Sequence, residues 1–203
     1  MIKGTLAALT GACCLFAIGS AWADSSDYPG DFGESGWTPG TTKMVTDVGF
    51  NGGGDKVTTV NFDGNLTSSI YAGNGLFADF GVQRNFSSSP WSFKATAGFD
   101  YWYTGSNQSI IRFSRFPLDL LALYSSGDHH FGFGLTEHFD PHLNMDGAGP
   151  NQDFSNATGV VLQYQYWLFG VRATSIHYKI TSACTSSCNL NASSIGVFFN
   201  YAF

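Results

Sequence analysis

Beyond its first two dozen residues this chain has no long apolar run: no later stretch approaches the ~18 uninterrupted apolar residues of a membrane-crossing helix. Charge is scarce as well. Asp, Glu, Lys and Arg make up 12% of the 203 residues, and 15 acidic against 9 basic side chains give a formal charge of −6. A chain so poor in Lys and Arg lacks the basic face that nucleic-acid binding requires. Of the four cysteines, Cys13 and Cys14 lie near the start and only Cys184 and Cys188 remain downstream, two thiols without a nearby His or second Cys pair, which is incomplete for a zinc site. Neither a metal nor a cofactor is expected.

What is present divides the chain into three. Residues 1–23 carry Lys3, an apolar run from Leu6 to Ile18 and the small-x-small tripeptide Ala21-Trp22-Ala23, which reads as a secretory signal cleaved before Asp24. Residues 24–42, rich in Gly, Ser, Asp and Pro and without periodicity, read as a flexible periplasmic tail. Residues 43–203 are left as a single domain. In an exported protein Cys184 and Cys188 are expected to form a disulfide, closing a short loop.

Alternation of period two dominates that domain. Phe93, Ala95, Ala97, Phe99, Tyr101 and Tyr103 share one face, and Lys94, Thr96, Gly98, Asp100 and Trp102 the other. The same pattern sets Leu76, Ala78, Phe80 and Val82 against Asp79, Gly81 and Gln83, and Val160, Leu162, Tyr164 and Tyr166 against Val161, Gln163 and Gln165. It recurs in Ile195, Val197, Phe199, Tyr201 and Phe203. Near Pro117 the parity of the fourth strand slips, which predicts a bulge. Strands that alternate grease with polarity can enter a bilayer only by closing on one another, so that every backbone group is paired. The expected fold is therefore all-β, an eight-stranded antiparallel transmembrane β-barrel. Short turns near Ser87–Pro90, Ser125–Asp128 and Trp167–Phe169, with long connections at 51–74, 140–156 and the cysteine loop on the other side, match short periplasmic turns and long outer loops.

If polar faces point inward throughout, the lumen gathers Asp79, Lys94, Asp100, Arg112, Gln163, Gln165, His177 and Lys179 as a mutually paired network, because eight strands leave an interior that side chains fill. Glu137, His138, Asp140 and His142 crowd the end of the fifth strand. No compact ligand quartet is specified there, and a solvated loop rim is expected.

Through the export segment, the alternating strands, the aromatic Phe203 and the loop asymmetry, the chain resembles small eight-stranded bacterial outer-membrane β-barrels of the OmpA/OmpX type. The resemblance implies a bacterial outer-membrane location, outer-membrane lipid and lipopolysaccharide as surroundings, delivery by the barrel assembly machinery, and a monomer. Such barrels serve many ends, so the fold selects no activity; a structural or surface-interaction role without catalysis is expected. Locally, Gly170–Lys179 is similar to the penultimate-strand region of outer-membrane lipid A 3-O-deacylases. That resemblance implies His177 as a catalytic histidine and an outer-leaflet lipid-modifying hydrolase as the alternative. Lys179 stands where that family has its serine, and Ser193 about where it has its glutamate.

Overall fold

The computed structural model describes residues 38–62, 66–105, 110–147, 149–182 and 188–203. The expected signal 1–23, most of the expected tail, residues 63–65 and Cys184 lie outside the described residues. Cys188 is disulfide-bonded.

In chain order the strands are β1 (Thr42–Gly52), β2 (Lys56–Phe62), β3 (Leu66–Tyr71), β4 (Gly75–Asn85), β5 (Trp91–Gly105), β6 (Ile110–Ser126) and β7 (His129–Asp146). They continue as β8 (Gln152–Asp153), β9 (Ala157–Tyr166), β10 (Phe169–Ser175), β11 (His177–Lys179), β12 (Asn189–Asn191) and β13 (Ser194–Ala202). Eight of them close a ring in the order β1, β4, β5, β6, β7, β9, β10, β13, every neighbouring pair antiparallel. First and last strands seal it, with Val48 opposite Phe199 and Phe50 opposite Val197. Closure leaves the ring without a free edge.

Side chains alternate across this wall. Outward stand Val48 and Phe50 on β1, Phe80 and Val82 on β4, Phe93 and Phe99 on β5, and Leu118 and Leu120 on β6, all exposed. The other four strands continue the band with Phe133 and Leu135, Leu162, Val171, and Ile195 and Val197. Ile195 is 71% exposed while Lys94 is 1% exposed, the reverse of the distribution in a water-soluble protein.

At the loop end the chain rises above the ring. β2 pairs with β3, β11 with β12, and β8 with the tip of β7. Asp55 N–H donates to Asn191 O at 2.7 Å, and Phe154 bridges to Ile180, so these pieces tie to one another. Beneath them lies a core that includes Ile70, Ile111, Phe113, Leu143, Phe154, Ile176, Tyr178 and Leu190, all buried. The polarity of the wall therefore changes sense along its length: apolar outside and mostly polar inside near the turns, where Leu121, Leu123 and Val161 form a small buried apolar cluster, and apolar inside and polar outside above.

Two expectations are corrected here. The segment expected as a loop from Asp140 is strand as far as Asp146, and the bulge expected on the fourth strand sits on its partner: the β6–β7 register slips between Ser114 and Phe116, where Asp140 and Pro141 add a residue on β7. Asp140 has φ 47°, a left-handed conformation that Asp tolerates better than most residues. β6 alternates unbroken, with Pro117 inward, and its missing N–H falls where the β5–β6 ladder is interrupted between Ala97–Leu118 and Asp100–Arg115.

Candidate functional site

Each ring strand turns one residue in two toward the axis, which brings together charges far apart in sequence. Arg172, from β10, is the hub. Its Nη1 lies 3.0 Å from Asp79 Oδ2 and 3.0 Å from Asp119 Oδ2, and its Nη2 lies 3.2 Å from Asp47 Oδ2. Nη2 also donates to Gln163 Oε1 at 3.3 Å. The guanidinium stacks over Phe77 and Phe198, 5.1 and 5.6 Å from the ring centroids. A planar fork with five donors is the one side chain that can serve four acceptors and two ring faces at once.

Lys94 Nζ reaches Asp47 Oδ2 at 2.5 Å, and the other Asp47 oxygen accepts from Asn200 Nδ2 at 2.5 Å. Toward the turns the chain of contacts continues through Gln165 Nε2, which donates to Asn200 Oδ1 at 3.1 Å and to Trp167 O at 2.7 Å.

Nearer the loop end a second centre forms on Arg115. Its Nε and Nη2 both bind Asp100 Oδ2, at 3.0 and 2.5 Å, while Nη1 donates to Ala72 O at 2.5 Å and to Tyr178 OH at 3.4 Å. Tyr178 OH lies 2.5 Å from His138 Nδ1. Burial pushes the Tyr178 phenol above its ordinary value, so it stays protonated while accepting from Arg115. This group roofs the polar lumen, and the apolar core closes directly above it through Phe113, whose ring lies 5.4 Å from the Arg115 guanidinium.

Glycines make room for the carboxylates. A Cβ on Gly98 would lie 1.9 Å from Asp79 Oδ1 and 2.7 Å from Ala78 O, and one on Gly75 would lie 1.4 Å from Asp100 Oδ1. Gly98→Ala is therefore expected to drive Asp79 off Arg172 and to cost about 1–3 kcal/mol as overpacking. Denaturant unfolding of the purified variant checks it; Ala97→Ser, one residue away on the outward face, should unfold with the wild type.

Of the residues expected in the lumen, Asp79, Lys94, Asp100, Gln163 and Gln165 are buried and face it. Three are not there. Arg112 faces outward and sits 3.6 Å from Asp146, with both side chains about half exposed. His177 and Lys179 are exposed on the outer face of β11, while Ile176 and Tyr178 point in. The reason is the change of polarity sense: above the ring, Arg112, His177 and Lys179 meet solvent, and the interior takes the apolar alternates. Sequence reasoning misses four lumen charges, Arg172, Arg115, Asp119 and Asp47. Val171 and Ala173, an apolar pair flanking Arg172, are the signal that β10 points its even-numbered residues inward.

The crowded end of the fifth strand is dispersed. His138 turns in to Tyr178, His142 Nδ1 pairs with Asp153 Oδ1 at 2.6 Å, and Asp140 N–H donates to Asn156 Oδ1 at 3.0 Å. Glu137 accepts a hydrogen bond from Thr158 Oγ1. Among the described residues no group of three or more His, Cys, Asp or Glu could hold a metal ion.

No protein-family model matches the chain, and no curated protein matches it.

Around the outside, aromatic rings gather where the strands meet the turns. Trp91 packs edge-on against Tyr124 at 5.3 Å, His129 lies tilted against Tyr166 at 5.0 Å, and Tyr201 stacks on Phe203 at 5.8 Å. Rings with one polar atom favour a boundary between an apolar and an aqueous phase.

Proposed function

We propose that the protein is a bacterial outer-membrane barrel whose role is structural or surface-facing, with a lumen that does not conduct. The observation that carries this is the inverted wall: exposed apolar side chains on all eight ring strands surround an interior of buried ion pairs. Along β13 the outward row from Ile195 to Phe203 covers ~20 Å of an axis inclined ~40° to the strand, close to the ~25 Å apolar band of such barrels. The aromatic belt at the turn end supports the same reading, and so does the interior. Arg172 and Arg115 with their carboxylates occupy the width that eight strands enclose, and the apolar core caps the loop end. On this reading the parts above the ring face outward from the cell, the surrounding phase is outer-membrane lipid and lipopolysaccharide, insertion uses the barrel assembly machinery, and the barrel is a monomer.

Fractionation of expressing cells, followed by planar-bilayer recording of the purified protein, tests both halves. The protein is expected in the outer-membrane fraction, shifting in gel mobility on heating, and to give no steady conductance steps. Recovery as a monomer soluble without detergent overturns the membrane reading; stable open-channel currents overturn the closed lumen.

One observation favours the hydrolase alternative: His177 and Ser175 both lie on the exposed outer face, two residues apart. Against a relay, the nearby carboxylate Glu137 is bound to Thr158 and makes no hydrogen bond to His177. Loss or gain of an acyl chain from lipopolysaccharide in expressing cells, abolished by His177→Ala, would establish this reading.

A further inference from the structure

The outer wall is not uniformly bulky. On β4 to β7 the exposed side chains are mostly Phe and Leu, but where β1, β13 and β10 run side by side toward the loop end they shrink. Gly52, Ala173, Ser175 and Ser193, flanked by Ile195 and Leu162, leave a recess of about 400 Å³. Two residues nearer the turns, on the same strands, a second recess of about 460 Å³ lies among Phe50, Val171 and Val197. The two follow one another along the strand direction. The lower is apolar, and the upper ends on the hydroxyl-bearing residues Ser175 and Ser193.

Past Ser175 the same outward face of the chain carries His177 and then Lys179, both exposed. Neither side chain forms an ion pair with a described acidic residue. An apolar channel, a hydroxyl-lined end and, beyond it, the nitrogen side chains of His177 and Lys179 thus follow in that order along one face.

We infer that this face holds a lipid of the outer leaflet by one acyl chain, with its phosphate-bearing head group on His177 and Lys179. The inference rests on the membrane-spanning reading above. A flexible chain fills the recess more cheaply than a rigid partner surface, because lipid already surrounds the wall and only one chain must be ordered. The Lys179 ammonium supplies what the recess cannot, selectivity by charge, and His177 offers a hydrogen bond beside it. Each Lys or Arg near a membrane surface favours an anionic lipid by about fivefold.

The test is native mass spectrometry of the full chain, released from mild detergent micelles loaded with either phosphatidylglycerol or phosphatidylcholine of identical acyl chains. The wild type is expected to retain one phosphatidylglycerol and to prefer it over phosphatidylcholine. Ala173→Phe, which fills the recess from the outside, should lose retention of both lipids. The pair His177→Gln, Lys179→Gln should lower phosphatidylglycerol retention by at least about fivefold and leave phosphatidylcholine unchanged. Ala97→Phe, placed on β5 across the ring, should behave as wild type. Equal retention by wild type and Ala173→Phe overturns the inference, as does equal retention of the two lipids by wild type. So does a protein dimer, in place of a lipid adduct, that is lost in Ala173→Phe. In each case a detergent-dependent, heat-modifiable barrel leaves the membrane reading standing. A chain that needs no detergent fails that reading first.

Discussion

Arg172→Ala is expected to be the most damaging single substitution in the barrel, costing about 3–5 kcal/mol, the range for removing one partner of a buried ion pair. The lumen holds four buried carboxylates, Asp47, Asp79, Asp100 and Asp119, against three buried cations, Lys94, Arg115 and Arg172. Removing the hub leaves Asp79 and Asp119 without a described cation partner and Asp47 with Lys94 alone. Phe77 and Phe198 lose the flat group between them. Arg172→Lys keeps the charge but cannot reach four acceptors with a single ammonium, so it should fall between alanine and wild type. A triple variant, Arg172→Met with Asp79→Asn and Asp119→Asn, removes the isolated charges as well and should recover much of the loss. Unfolding in urea from lipid vesicles, followed by the gel shift of the folded form, measures all three. Wild-type stability in Arg172→Ala would show that the network contributes nothing to holding the strands.

Leu135→Arg is the second, expected to cost about 2–4 kcal/mol and to reduce the folded fraction in vesicles. Leu135 is 53% exposed and lies between Leu120 of β6 and Val160 of β9, in the middle of the apolar band. In water a cation at a half-exposed position would cost within about 0.5 kcal/mol. In hydrocarbon its hydration must be given up, and the penalty appears whole. His177→Arg, on the same outer surface but above the ring, is the matched control and should be close to neutral. Neutrality at both positions contradicts lipid around the band; a penalty at Leu135 alone is the signature of a hydrophobic solvent there.

How far the sequence can be read follows from what each strand meets. Inside the band the outward positions are mostly apolar and the buried charges face in, beside a few buried apolar side chains such as Phe77, Leu121, Val161 and Phe198. Phe93 to Tyr103, Val160 to Tyr166 and Ile195 to Tyr201 follow this pattern, so the parity of alternation alone places Lys94, Asp100, Gln163 and Gln165 in the lumen. The pattern depends on what surrounds the wall, and on the membrane reading that medium changes partway up. On β6 the residues Ile111 and Phe113 are apolar and buried, and Arg112 between them faces out. On β10 and β11 the phase of alternation never breaks from Arg172 to Tyr178, yet the buried residue passes from Arg to Thr to Ile to Tyr. Reading polarity as direction therefore inverts His177 and Lys179 and hides Arg172. Pro117 misleads for a related reason: it does mark a break in the ladder, but the extra residue that accommodates the break belongs to the neighbouring strand at Asp140 and Pro141.

The amino-acid order by itself determined that this is an all-β chain with eight long alternating strands, because period two is local and needs no partner to be seen. It also separated short turns from long connections. Only the tertiary structure decided which charges meet. Arg172 finds Asp47, Asp79 and Asp119 across 125, 93 and 53 residues of chain, and such meetings are fixed by how the strands are staggered as the ring closes. It likewise decided where the interior stops being polar, since that boundary is set by the strands that stand side by side at one height of the ring, and no single strand carries that height in its own residues.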